Sequence, residues 1–263
     1  MTTHSKDTYI HNKNNKFVHL DQEIGGKATQ LHNITSDLVP EWVAITADCP
    51  DEALSEVVCG AYISLGFPYV LHYLMEAKYA VRSSALAEDG ERQSYAGIFE
   101  SKLNVPITGL EHAVREVRDS AISDRVRKYG DHFKDEHGNE PSNIAVIIMP
   151  MVDAMYSGTL FTKEPVEGTD RMLLEYEEGV GGVVDGTGDS ITFFLEHDNF
   201  YETLIDDGEL SHSHPPAPLH PIWEEAKRLE ELYGKPVDIE WAIDKNYKPW
   251  ILQVRPITTT VTA

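Results

Sequence analysis

Apolar positions recur along this chain with two different spacings, and the switches between them mark out its elements. Leu110, Val114, Val117, Ala121, Ile122 and Val126 fall at helical intervals, so residues 108–129 are expected to form a long amphipathic helix closed by Gly130. Residues 50–77 carry mostly helical spacing, broken at Gly66-Phe67-Pro68, and residues 221–233 fit a helix that stops at Gly234-Lys235-Pro236. Ile24–Thr29 reads as a glycine turn running into a helix that ends before Val39-Pro40. Strand-like runs occupy Trp42–Thr46, Tyr79–Ser83, Phe99–Val105, Ile144–Val152, Gly158–Thr162, Met172–Tyr176 and Ile191–Glu196. Val237–Asp244 and Pro249–Arg255 look like a hairpin. Polar stretches at 1–16, 131–142 and 206–220 are read as a loose terminus, a loop and a linker. Strands mixed with helices predict an α+β protein with two lobes, a smaller one over 17–105 and a larger one over 106–263.

Charge narrows what such a protein can bind. The chain has 263 residues, with 22 Lys and Arg against 44 Asp and Glu, a formal charge of −22. A general nucleic-acid binder needs a basic footprint, and so does a protein of anionic membrane surfaces; neither is expected as a partner. An anionic ligand must instead meet a few locally placed cations. Cys49 and Cys59 are ten residues apart, which suits neither a disulfide scaffold nor a zinc site. No apolar run approaches a membrane span and the first residues lack a signal-peptide core, so a cytoplasmic location is expected.

The terminal hairpin is the most informative segment. Side chains alternate along a strand, so Asp238, Glu240 and Ala242 share one face while Ile239, Trp241 and Ile243 share the other. With Lys245–Lys248 as a four-residue loop, Asp244 pairs with Pro249, Glu240 stands opposite Gln253, and Asp238 stands opposite Arg255. A carboxylate, an amide and a guanidinium on one face suit a magnesium ion and a phosphate. A cross-strand salt bridge on a solvated face explains the same pattern. Gly25-Gly26-Lys27 could set backbone N–H groups and an ammonium against phosphate at a helix start, or be a turn with a surface lysine. It is not a Walker A loop, since Ala28 stands where a Ser or Thr would hold magnesium. Arg82, in the otherwise small and apolar Ala80–Ala85 run, needs an anionic partner, internal or bound. Gly179-Val180-Gly181-Gly182 reads as a glycine turn.

These segments together resemble the N-terminal nucleotide-binding domain of the phosphoenolpyruvate synthase, pyruvate phosphate dikinase and rifampicin phosphotransferase family. The likeness is carried by Gly25–Ala28, Val39–Trp42, Ala80–Ala85 with Ala87-Glu88-Asp89, Ser94–Gly97, Leu103–Val105, Met151-Val152, Ser157–Thr162, Gly179–Gly182, Asp238–Ala242 and Leu252–Pro256, in family order from about residue 20 to 257. Residues 47–78 are shorter than is usual there, Gly182 replaces a common Glu, and Met149 replaces a frequent Gln. The resemblance implies an ATP-grasp-like fold in which two lobes close on ATP and Mg²⁺. By the same resemblance, Lys27 and Arg82 would hold phosphates, and Glu240 and Gln253 would coordinate magnesium. Arg255 would bind the transferring phosphates, and Met149, Met151 and Val152 would pass the adenine.

It implies a reaction as well. In the family, ATP gives up its β-phosphate to a histidine, with AMP and phosphate as the other products. No Thr-x-His acceptor pattern of the family follows Arg255-Pro256. The expectation is therefore an ATP-cleaving component whose histidine lies on a separate phosphohistidine-domain protein, docking near Arg82–Arg92 and residues 179–188. The alternatives are a stand-alone kinase or ligase acting directly on a small molecule, and a catalytically silent nucleotide-binding module.

Overall fold

A computed structural model describes residues 9–12, 20–65, 77–85, 100–122, 144–166, 168–179, 190–198, 200, 203–206, 209–211 and 218–257. The chain divides into two compact units, residues 1–29 with 41–151 and residues 30–40 with 152–263.

The first unit is built on a five-stranded antiparallel sheet of β1 (Ile10–Asn12), β2 (Val43–Ile45), β3 (Lys78–Ser84), β4 (Ser101–Pro106) and β5 (Ala145–Pro150), in the order β1-β2-β5-β3-β4. The Ala-Val-Ile-Ile-Met-Pro run of β5 is almost wholly apolar and takes the centre, where both faces are covered. Helices α2 (Leu54–Ser64) and α3 (Leu110–Asp119) supply Val57, Ala61, Val114 and Val117 to one core with Val43, Ile45, Tyr79, Val81, Val146 and Ile148. The α3 stripe of Leu110, Ala113, Val114 and Val117 is buried as its spacing predicts, and each large member contributes roughly 2 kcal/mol. Past Asp119 the helix tightens into a single 3₁₀ turn, Ser120–Ile122; the expected continuation to 129 lies outside the described residues.

Two sequence expectations change here. Ile10–Asn12, inside the stretch taken for a loose terminus, is a strand paired antiparallel to β2, because Ile10 and His11 are buried. The compact units part at 151/152, so α3 and β5, assigned from sequence to the larger lobe, belong to the first unit. Sheet order is the cause: β5 is inserted between β2 and β3, a long-range pairing with no local signature. The lobe boundary at 105/106 that sequence contiguity suggests falls inside β4, just before its last residue, and would part the strand from the helix that packs on it.

The second unit carries a seven-stranded antiparallel sheet in the order β10-β9-β8-β7-β6-β11-β12. Its strands are β6 (Ala154–Phe161), β7 (Met172–Glu178), β8 (Ile191–Leu195), β9 (Thr203–Asp206), β10 (Glu209–Ser211), β11 (Val237–Asp244) and β12 (Pro249–Pro256). Leu160, Leu174, Phe193, Ile239, Trp241 and Val254 are buried, and α4 (His220–Tyr233) packs over β11 and β12 through Ile222, Ala226 and Leu229. The segment read as a linker begins instead with the β9–β10 hairpin, whose polar sequence lacks an alternating apolar signal. Among the described residues, no helix is long and apolar enough to cross a membrane, and both cysteines are free thiols.

One buried carboxylate ties residues 30–40 to α4. Glu225 is 5% exposed and accepts from Thr35 N (2.7 Å), Thr35 Oγ1 (2.9 Å), Arg228 Nε (2.9 Å) and Arg228 Nη2 (2.6 Å). Burial alone would raise its pKa, but the bonds from Arg228 and Thr35 outweigh it and hold the carboxyl below its ordinary 4.5. Its stabilising contribution is therefore complete above that value and lost as pH falls through the folded one. Glu225→Ala should destabilise the protein by about 2 kcal/mol at pH 7, since the Thr35 donors lose their acceptor while Arg228, 43% exposed, keeps its bond to Asn33 O. Urea unfolding of the two proteins checks this, and the gap should narrow in acid.

Candidate functional site

The β11–β12 hairpin turns through Lys245, Asn246 and Tyr247, with Asp244 N donating to Lys248 O (3.0 Å) and Tyr247 left-handed at φ 60°. Asp244 pins the turn: its carboxylate accepts from Asn246 N (2.8 Å), Lys248 N (2.9 Å) and Trp250 Nε1 (3.0 Å). The loop is thus one residue shorter than expected, and Ile243, not Asp244, pairs with Pro249. Between Glu240 and Trp241 the register shifts, leaving Leu252 as an extra residue on β12. The bulge restores the expected partners beyond it: Glu240 faces Gln253, and Asp238 faces Arg255.

These four side chains form one cluster. Arg255 Nη2 lies 2.9 Å from Asp238 Oδ2 and 3.3 Å from Glu240 Oε1. The two carboxylate side chains are each only 14% exposed and Gln253 is 3% exposed, so this is not a salt bridge on a solvated face. The reverse side of β11 is wholly apolar, with Ile239, Trp241 and Ile243 buried. Burial pushes the Asp238 carboxyl up to about 6; Arg255 opposes the rise and Glu240 adds to it. The folded protein consequently keeps a proton that the unfolded chain releases near 3.8, and ionisation of Asp238 subtracts stability as pH climbs through that window. Asp238→Asn removes the ionisation. We expect it to be the more stable protein by about 2 kcal/mol at pH 7.5, with no advantage near pH 4. Denaturant midpoints at the two pH values measure the difference.

The cluster sits in a longer cross-strand arrangement. Glu240 pairs with Thr159 on β6, Thr159 with Glu175 on β7, and Glu175 with Thr192 on β8. Directly opposed residues of antiparallel strands share a face, so Gln253, Glu240, Thr159, Glu175 and Thr192 make one polar row. On the neighbouring register position Gly158 stands between Trp241 and Tyr176, whose rings approach to 6.3 Å. A Cβ there would lie 2.0 Å from Glu175 O, so only glycine lets the two strands pair this closely.

The first unit holds the other predicted residues. α1 (Leu20–Asn33) is two helical segments joined at Gly25, which takes φ 74°. A Cβ on Gly25 would fall 2.0 Å from Ser84 O. The close approach lets Gly26 N donate to Ala85 O (3.2 Å) and Ala28 N donate to Ser84 Oγ (3.1 Å). Lys27 Nζ then reaches Ser83 Oγ at 3.4 Å. Gly25-Gly26-Lys27 is accordingly docked on the end of β3 rather than being a surface turn. Arg82 is half-buried on the same strand, opposite Ile147 of β5 and Ser101 of β4. Sequence reasoning joined Lys27 and Arg82 by function but missed Ser83 and Ser84 as the contacts that seat the glycines.

Met149 is 3% exposed on β5 opposite Ala80. Met151 follows the strand, its N–H donating to Lys78 O (2.8 Å). Val152 begins the second unit. The second glycine turn from Val180 onward, and most of the Arg82–Arg92 loop, lie outside the described residues.

Magnesium is tested by the donor set. Among the described residues no three His, Cys, Asp or Glu side chains gather as a metal cage. Glu240 and Gln253 do bring a carboxylate and an amide oxygen to adjacent strands, and Asp238 Oδ1 is buried without a hydrogen-bond partner among the described residues. That set fits an ion carried in by phosphates, which needs only one or two protein oxygens.

Known proteins extend the reading. Residues 47–263 match the family described as the pyruvate phosphate dikinase AMP/ATP-binding domain. The chain is 31% identical over 288 positions to the prodigiosin synthesizing transferase PigC of Serratia marcescens, using 90% of its own length and 32% of that protein's. It is 32% identical over 206 positions to a probable phosphoenolpyruvate synthase of Methanothermobacter thermautotrophicus, covering 68% of this chain and 29% of that one. Rifampicin phosphotransferase of Bacillus subtilis is 27% identical across 88% of this chain and 28% of its own. The chain thus spans about a third or less of each of these relatives. Among solved structures, D-alanyl-alanine synthetase A of Vibrio cholerae aligns over 85% of this chain and 52% of its own at 8% identity, with a TM-score of 0.39. An N5-carboxyaminoimidazole ribonucleotide synthetase bound to ADP aligns over 83% and 41% at 10% identity, with a TM-score of 0.38. Those scores are too low to carry any residue-level comparison. The sequence match defines an ATP-binding domain of α+β fold. This chain belongs to the pyruvate phosphate dikinase AMP/ATP-binding family.

Proposed function

We propose that the chain binds ATP with magnesium and serves as the ATP-cleaving part of a phosphoryl-transfer system, in an ATP-grasp-like arrangement. The observation that carries this is the Asp238–Glu240–Gln253–Arg255 cluster, a half-buried guanidinium held among oxygen donors within the family-matched region. Arg255 supplies a planar fork suited to phosphate oxygens, and its two carboxylate partners hold it in place until phosphate competes for it. Glu240 and Gln253 would hold the magnesium ion, which when bound neutralises phosphate charge. In the first unit Lys27 and Arg82 are read as phosphate-binding cations, with Lys27 fixed on Ser83. Met149, Met151 and Val152 are read as the adenine-side segment. Phosphoryl transfer asks a protein chiefly for positioning and charge neutralisation, and these residue types provide both.

The acceptor follows from the family resemblance: a histidine on a phosphohistidine domain, taking a phosphoryl group while AMP and phosphate leave. Nucleotide analysis tests the reading. Calorimetry with ATP and Mg²⁺ should show binding that Arg82→Ala weakens by roughly tenfold or more. AMP formed only when a phosphohistidine-domain protein is added supports histidine transfer. ADP formed with a small acceptor would establish a direct kinase or ligase instead, and binding without turnover a silent nucleotide module.

A further inference from the structure

The second segment of α1 begins at a residue with no side chain to close its start. Gly25 leaves the helical region at φ 74° and ψ 174°, so Gly26, Lys27 and Ala28 are the first three residues of the turn that follows. Such a start is normally closed by the preceding side chain, whose oxygen accepts from the second or third N–H. Gly25 has no such oxygen and no room for one, because a Cβ there would fall 2.0 Å from Ser84 O and 2.8 Å from Ser84 Oγ. The one hydroxyl on α1, that of Thr29, donates to Gly25 O (2.9 Å) instead. The missing acceptor comes from β3: Ala28 N donates to Ser84 Oγ at 3.1 Å, across fifty-six positions of sequence. Ser84 and Ala28 are both buried, so water cannot take the place of the hydroxyl.

We infer that Ser84 is a positioning residue: its hydroxyl caps α1 from the neighbouring strand and thereby sets Lys27 for phosphate. The inference rests on the reading of Lys27 as a phosphate-binding cation given above. Lys27 lies between two backbone anchors, the Gly26 N–H donating to Ala85 O (3.2 Å) on one side and the Ala28–Ser84 bond on the other. Its backbone is therefore held on both sides against the end of β3. Its side chain is steered by the next residue of that strand, since Ser83 Oγ lies 3.4 Å from Lys27 Nζ. Arg82, the other cation of the reading, belongs to the same strand. One strand end thus carries Arg82 and, through its two serines, sets Lys27. A long lysine stem loses conformational freedom when it is held in one geometry, and a backbone fixed beforehand leaves less for phosphate to order. Without the hydroxyl the Ala28 N–H loses its acceptor and the helix start frays, so the loss falls on phosphate binding.

Calorimetry of ATP with Mg²⁺ on the whole chain tests this as a double-mutant cycle. Lys27→Ala should weaken ATP binding by about tenfold or more, and Ser84→Ala by about fivefold. In the Lys27→Ala background, Ser84→Ala should change the affinity by less than about twofold, because the residue through which it acts is gone. Ser120→Ala is the control for a merely structural loss. It removes another buried serine hydroxyl of the first unit, one that accepts from Glu100 N (3.2 Å) and donates to Val117 O (2.6 Å), and should leave ATP affinity unchanged. Wild-type affinity in Ser84→Ala overturns the inference, as does a fivefold loss that persists without Lys27 or is matched by Ser120→Ala. Should Ser84→Ala not fold, Ser84→Cys, close in shape but a weak acceptor, carries the same cycle. A Lys27→Ala chain with wild-type affinity removes the underlying reading of Lys27 instead, and is told apart because it needs no Ser84 variant.

Discussion

Arg255→Ala should lower ATP affinity by at least about a hundredfold, the loss expected when one partner of a desolvated charge pair is truncated. The same change should destabilise the second unit, because Asp238 and Glu240 would face each other, each 14% exposed, without their shared cation. The two effects can be separated. Arg255→Lys keeps a positive charge near the carboxylates and should recover much of the stability, while a single ammonium cannot reproduce the fork that grips phosphate. Calorimetry and urea unfolding on the three proteins report the two quantities independently. Unaltered ATP binding in the alanine variant would move the site away from this cluster.

Gly25→Ala should be nearly as damaging, through sterics alone. Its φ of 74° is strained for any side chain, and the new Cβ would sit 2.0 Å from a backbone oxygen, that of Ser84, which has no freedom to withdraw from β3. We expect a loss of at least about 3 kcal/mol, or displacement of the Gly25–Lys27 segment from the strand with loss of the Lys27–Ser83 contact. Gly234 is the control. It caps α4 at φ 65° with open space around it, so its alanine variant meets strain but no collision and should cost only about 1 kcal/mol. Comparable losses at the two glycines would show that the close approach to Ser84 is unimportant.

The face that carries Glu240, Gln253 and Arg255 is legible in the sequence because a two-residue period decides which side chains stand together. The route between them is not. Spacing predicts a four-residue loop where three residues turn, and it gives no sign of the bulge at Leu252; the two differences cancel, so the expected pairs occur. Bulges depend on local backbone twist and leave the apolar pattern nearly intact. The strands β1, β9 and β10 escape a sequence reading for a related reason: they are short, and their neighbours on the sheet supply the pairing that their own composition does not announce. Lys27 and Ser83 lie fifty-six residues apart, a proximity that spacing cannot encode.

The extra residue at Leu252 makes turn length a constraint. It divides the hairpin into a turn-side ladder and a site-side ladder that are offset by one residue. An insertion or deletion within Lys245–Tyr247 that slid β12 by one position, with the bulge kept, would exchange the two faces of the strand beyond it. Val254 would then look toward Glu240, and Gln253 and Arg255 would be driven among Ile239 and Trp241. A change in this loop that moves β12 must therefore move it by an even number of residues, or be matched by the loss of Leu252, if each face is to keep its side chains, so the length of a surface turn and one ordinary leucine are coupled.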